Sequence, residues 1–325
     1  MKIVVTGGSG FIGGHMLELL RSSGHQVINV DIRAPDNIGA SDNIWRKISI
    51  LDREGLGELF REIQPSHVIH LAAYASMEAR SLDDFLANTK GTANLLAAIK
   101  SVPSVERVII TSTQHVRKPG SGVAASDTDY APYMHYGESK VITERLTRDA
   151  GLNCAWAIIR PTAVWGPGNL LLAEGLWKVM ARGRYFHPAA DPVVRSYGYV
   201  KNVVWQILGL LLADRSAVDR KVFYVADGNG RQLEWVNAVS RELTGRDVRT
   251  VPLWVIRALA RFGDCARVAG LSFPIYGSRL ENLITHNPVP VQPTLDLLGL
   301  PPYTLHGGAK ETAAWLKAYY QGQVR

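Results

Sequence analysis

Tyr136 and Lys140 stand four residues apart in Tyr136-Gly137-Glu138-Ser139-Lys140. On a helix that spacing puts both side chains on one face, one turn apart. A phenol ordinarily titrates near 10, and bringing it to about 7 takes roughly 4 kcal/mol of preferential phenolate stabilisation. A neighbouring ammonium, together with the positive ring of an oxidised nicotinamide, supplies stabilisation of that kind. Tyr136 would then act as acid and base at a carbinol oxygen while hydride passes to or from a cofactor. Alone, the pair reads better as two surface residues of a helix. Thr111-Ser112-Thr113 ends an apolar run upstream, and the Thr113 hydroxyl can bond the same substrate oxygen. A plain strand-ending hydroxyl cluster has the same appearance.

A second signature opens the chain. Ile3-Val4-Val5 leads into Thr6-Gly7-Gly8-Ser9-Gly10-Phe11-Ile12-Gly13, with Gly7, Gly10 and Gly13 spaced G-x-x-G-x-x-G. A β-branched run reads as a buried strand, and the glycines fall where it turns into a helix. Such a turn lets backbone N–H groups, here those about Phe11 and Ile12, approach a pyrophosphate at the helix start. The next strand, Gln26 to Val30, ends in Asp31, about 20 residues on, where an acid binds the adenosine ribose. Asp31 favours NAD, because a carboxylate repels a 2′-phosphate; Arg33, two residues later, is the feature on the other side.

These residues need a frame. The first half alternates strand and helix: Ser66 to His70, a helical stretch about Ser81 to Ser101, Arg107 to Thr111, a helix about Gly137 to Asp149, and Ala155 to Ile159. That order implies a Rossmann-type, doubly wound parallel α/β sheet. Arg117 to Pro132, rich in Gly, Ser, Ala, Asp and Pro, reads as an active-site loop. After Pro167-Gly168 the pattern loosens, Val222 to Val225 regains strand character, and helices dominate from Leu233. The expected division is a cofactor domain over 1–168 with a returning segment about 193–230. A smaller, mostly helical substrate domain takes 169–192 and 231–325.

The 325 residues carry a net charge of +7, 46% apolar and 20% charged residues, ordinary for a globular chain. No apolar run is long enough to span a bilayer, and Gly7 to Gly10 break the N-terminal run against a secretory signal. The two cysteines, Cys154 and Cys265, read as small core hydrophobes in a reducing compartment, the cytoplasm, with no metal set. Arg241, Arg246, Arg249, Arg257, Arg261, Arg267 and Arg279 concentrate charge late in the chain. No nucleic-acid motif accompanies them; one or two can meet a substrate phosphate. Val251 to Gly270 has the make-up of a basic amphipathic helix, which can lie on a membrane. Pro252, Gly263 and Gly270 interrupt it, which favours packing on its own domain and disfavours membrane contact.

Together these residues resemble the extended short-chain dehydrogenase/reductase family, and within it the NAD-dependent epimerase/dehydratase branch typified by UDP-galactose 4-epimerases. The resemblance covers Thr6 to Gly13, Asp31, His70-Leu71-Ala72-Ala73, Asn88, Gly91 to Leu96, Thr111 to Thr113, Tyr136 to Lys140 and Arg160 to Pro167. It implies a catalytic triad of Thr113, Tyr136 and Lys140, with Lys140 also on the cofactor ribose. It further implies Asp52 near the adenine, Leu71, Ala72, Ala73 and Asn88 along the cofactor, and Pro161 and Thr162 about the nicotinamide and substrate. The family's dehydratases carry an Asp-Glu pair after the catalytic Thr, where this chain has Gln114 and His115, so 4,6-dehydration is disfavoured. Arg195 matches an arginine that reaches a nucleotide diphosphate. The R-x-G-D signature is absent, and Arg279 stands as its replacement. Lys201-Asn202 occupies the place of a family acid. The resemblance implies a homodimer and an NAD-dependent nucleotide-sugar epimerase. A ketoreductase or dehydrogenase of such sugars, a hydroxysteroid-type dehydrogenase and a non-catalytic cofactor sensor are the alternatives.

Overall fold

The computed structural model describes residues 1–35, 44–76, 79–122, 124–190, 192–268 and 275–322. Seven parallel strands form the main sheet: β1 (Lys2–Thr6), β2 (Gln26–Val30), β3 (Trp45–Arg46), β4 (His67–His70), β5 (Arg107–Thr111), β6 (Ala155–Pro161) and β7 (Lys221–Val225). Their spatial order is β7-β6-β5-β4-β1-β2-β3. Helices cover both faces: α1 (Phe11–Ser22), α2 (Arg53–Ile63), α3 (Lys90–Lys100), α4 (His135–Asp149) and α5 (Val200–Leu212).

Double coverage explains the unbroken apolar runs. Ile3 and Val5 pack with Met16 and Leu20 of α1 and Val203 and Ile207 of α5. Val4, facing the other way, packs with Leu56 and Phe60 of α2 and Leu95 and Ile99 of α3. The doubly wound reading therefore holds.

Two local expectations change. The stretch read as one helix from Ser81 is a single 3-10 turn, Leu82–Phe85, capped by Ser81 and Asp84, followed by α3 from Lys90. The interruption falls at Asn88, whose amide is tied to Tyr74 outside the helix. α4 starts at His135, two residues early, which places Tyr136 in its first turn.

The chain divides into two compact units. The first is Met1–Val164, Gly198–Asp227 and Pro290–Pro302; the second is Trp165–Tyr197, Gly228–Val289 and Tyr303–Arg325. Pro290–Pro302 packs with the first unit, where Thr294 donates a hydrogen bond to the Tyr224 carbonyl at 2.7 Å. A return this short carries no periodic signal of its own.

In the second unit Gly228–Arg231 pairs antiparallel with Val194–Tyr197, and Phe186–Ala189 pairs parallel with Arg249–Pro252. Trp235 stacks on Tyr197 with ring centroids 4.2 Å apart and meets Trp177 at 4.9 Å. Helix Leu253–Val268 runs through Gly263 without a break. Glycine only weakens a helix interior, and Gly263 lies on the buried face. Cys154 is buried, whereas Cys265 is exposed, which corrects its reading as a core residue. No helix among the described residues is long and apolar enough to cross a membrane.

Candidate active site

Gly7, Asp31, Leu71 to Ala73, Thr111 to Thr113 and Pro161 to Thr162 lie at the carboxyl ends of β1, β2, β4, β5 and β6, where parallel sheets generally hold their ligands. At β1 the chain turns through Gly7 at φ +75°, and the Gly7 N–H bonds the Val30 carbonyl at 2.9 Å. A Cβ on Gly7 would sit 2.5 Å from the Ala72 nitrogen, and one on Gly13 would sit 2.1 Å from the Gly7 carbonyl oxygen. A Cβ on Gly8 would sit 2.3 Å from the side-chain Oδ1 of Asn29, a contact that only the spatial neighbour reveals. Gly10 caps α1 without a side chain, which leaves the N–H groups of Phe11, Ile12 and Gly13 without intrahelical acceptors. That cradle fits a pyrophosphate.

Asp31 closes the cradle from β2. Its carboxylate accepts hydrogen bonds from the Ser9 and Arg33 N–H groups, both at 3.0 Å, while the Arg33 side chain is exposed. Beside it, the Leu71 N–H bonds the Thr6 carbonyl at 3.0 Å, and Ala72 and Ala73 follow along the loop. Asn88, wholly buried, holds this loop from within, exchanging hydrogen bonds with Tyr74 and donating to Ser139. Asp52 caps α2 by accepting the Gly55 N–H at 3.0 Å.

The Thr113 hydroxyl accepts the His115 N–H at 3.3 Å and stands close enough to Tyr136 to act on its phenol. Burial pushes the Tyr136 phenol above its ordinary value, and the Thr113 hydroxyl pulls back. One turn on, Lys140 is 1% exposed and donates to the Thr111 carbonyl at 2.8 Å. Burial brings its ammonium down to about 8, with the Glu144 carboxylate opposing. Thr111 and Thr162 each bury a hydroxyl that has no partner among the described residues. Those orphans, at the ends of β5 and β6 beside Pro161, fit the polar groups of a nicotinamide nucleotide. A cavity of about 200 Å³ opens beside Tyr136, lined by Ser76, Phe85, Tyr133, His135 and Glu138.

A buried ionic network behind the triad escaped the sequence. Arg160 donates from Nε to Glu144 Oε1 at 2.9 Å and from Nη2 to Oε2 at 2.8 Å. Ser112 and Tyr130 donate to the same carboxylate, and Arg160 reaches Tyr224 and the Asp127 carbonyl. Glu144 follows Lys140 by one turn, so the spacing that singled out Tyr136 and Lys140 extends to it. His70 sits between the Thr6 and Thr92 hydroxyls, and burial lowers it to about 3.

Arg195 and Arg279 lie in the second unit. Arg195 donates to the Thr285 carbonyl at 3.2 Å and to both Asn282 oxygens, on the helix Gly277–Ile284 that carries Arg279. Arg279 stands 6.0 Å from the Tyr276 ring. Asn202, in place of the family acid, donates to Asp227 at 2.8 Å.

The sequence profile of the NAD dependent epimerase/dehydratase family matches residues 3–226. A 3 beta-hydroxysteroid dehydrogenase/Delta 5-->4-isomerase of Mycobacterium tuberculosis is 29% identical over 201 residues, covering 56% of this chain and 52% of that protein. A UDP-glucose 4-epimerase of Azospirillum brasilense is 29% identical over 205 residues, covering 60% of this chain and 51% of that protein. The chain thus spans about half the length of these curated relatives. The Thermus thermophilus UDP-glucose 4-epimerase, solved in complex with NAD, shares the fold at a TM-score of 0.73 and 22% identity, over 98% of this chain and 99% of that one. The chain belongs to the NAD dependent epimerase/dehydratase family, NAD-dependent oxidoreductases and epimerases of the extended short-chain dehydrogenase/reductase type.

Proposed function

We propose that this enzyme is an epimerase of a nucleotide sugar, oxidising C4 transiently and returning the hydride to the opposite face. The carrying observation is Tyr136 in the first turn of α4 with buried Lys140 one turn on, tied to the Thr111 carbonyl two residues before Thr113. NAD held in this site would supply the hydride acceptor and donor, and the positive charge of its oxidised ring would favour the phenolate. Tyr136 takes the proton from the C4 hydroxyl and gives it back; Thr113 orients that hydroxyl. Lys140 offsets the burial that keeps the phenol protonated and holds the cofactor ribose. Asp31 binds the adenosine ribose, Asp52 lies by the adenine, Leu71 to Ala73 and Asn88 line the cofactor, and Pro161 and Thr162 face the nicotinamide and substrate. Arg195 and Arg279 serve the diphosphate. With Gln114 and His115 after Thr113, no carboxyl group is placed there to expel a neighbouring hydroxyl. The enzyme works as a cytoplasmic homodimer.

A second reading, a dehydrogenase of hydroxysteroid-like carbinols, draws on the mycobacterial relative. One experiment separates the two: identify nicotinamide released on denaturation, then follow UDP-, GDP- and dTDP-sugars by product NMR. Retained NAD and conversion of one sugar to its epimer without added cofactor is the expected result. Turnover only with stoichiometric consumption of NAD or NADH replaces it with the dehydrogenase reading. Tyr136→Phe should cut turnover by about two or more orders of magnitude while NAD stays bound; unchanged turnover removes Tyr136 from the chemistry.

A further inference from the structure

We propose that helix Leu253–Val268 docks the enzyme on an anionic phospholipid surface. Its inner face is satisfied. Ile256 and Ala260 are buried with Leu280, against Phe186, Leu253, Ile275 and Ile284. The opposite face carries Trp254, Ala258, Arg261, Cys265 and Val268, spaced four, three, four and three residues apart, which makes one continuous stripe. All five are exposed, Trp254 at 72% and Val268 at 92%. Arg257 flanks the stripe beside Arg261, and neither guanidinium has an acidic partner among the described residues.

A surface helix normally turns polar residues to solvent. This one is apolar on its inner face and presents a large aromatic among arginines on the outer. Tryptophan prefers the boundary between headgroup and hydrocarbon, and arginine beside it finds lipid phosphate. Charge selects among occupants. A second copy of the same face would set Arg257 and Arg261 against themselves, whereas an anionic leaflet complements them. The face lies in the second unit, and the proposal stands whether the substrate is a sugar or a sterol-like carbinol.

The test is co-sedimentation of the full chain with vesicles of phosphatidylcholine alone and of phosphatidylcholine mixed with phosphatidylglycerol. Pelleting with the mixed vesicles only, reversed by salt, is expected. Replacing Arg257 or Arg261 by Gln should weaken partitioning about fivefold each, and Trp254→Ala should weaken it further, at an unchanged thermal transition. The wild-type chain supplies an independent reading, since brominated phosphatidylglycerol should quench part of its tryptophan fluorescence. Absence of pelleting and quenching overturns the proposal, as does wild-type pelleting by the variant that combines all three changes. Self-association in sedimentation equilibrium that Trp254→Ala abolishes, with vesicles ignored, assigns the face to a second copy instead.

Discussion

Lys140 is held in an environment that makes its charge conditional. With its ammonium lowered to about 8, Lys140 loses its proton as pH rises through that region, and support for the Tyr136 phenolate goes with it. Turnover should therefore fall on the alkaline side of about pH 8 in a pH–rate profile, and Lys140→Met should abolish that limb along with most of the rate. The Glu144–Arg160 pair behind it makes a different demand. Both side chains are buried, at 0% and 2% exposure. Removing one partner strands the other, so Glu144→Gln should cost about 3–5 kcal/mol in urea unfolding. The double variant Glu144→Leu/Arg160→Met should cost less than that single change, because it removes both charges together.

At the scale of elements, legibility follows locality. The glycine loop and Tyr136-x-x-x-Lys140 were readable because their chemistry requires residue types at fixed spacing within one turn or helix. The partnership of Glu144 and Arg160 was not. The two are 16 residues apart, and they meet only because α4 packs over β6 once β5 and β6 are paired. Gly8 escaped for a similar reason, since its neighbour Asn29 is supplied by β2. Gly263 misled in the other direction, because a glycine on the buried face of a helix marks close packing as readily as a break. The same distinction separates two adjacent glycines of α1. Gly13→Ala sets a Cβ 2.1 Å from the Gly7 oxygen and should cost about 1–3 kcal/mol with loss of NAD binding by calorimetry. A Cβ on Gly14 meets nothing within 4 Å, so Gly14→Ala should stabilise by about 1 kcal/mol and leave NAD binding intact.

For the molecule as a whole, three buried histidines work in one direction. Burial lowers His67 and His187 below their ordinary value and takes His70 to about 3. In the unfolded chain they titrate near 6.5, so between about pH 6.5 and 3 the unfolded state binds more protons. Stability from these groups is complete above pH 6.5 and is lost as pH falls through that window. Thermal unfolding at pH 7 and pH 5 should show a lower midpoint in acid, and His70→Gln should narrow the gap. The strand order has a consequence in time as well as in space. β1 lies inside the sheet, β2 and β3 extend one edge, and β4, β5, β6 and β7 extend the other in the order of synthesis. A chain emerging from the ribosome never has to separate strands already paired to admit another. The cofactor cradle of β1, β2 and β4 can form early in translation. Arg160 gains its last partner, Tyr224, only when the final strand arrives, so a nascent chain can hold its nucleotide before it is equipped to use it.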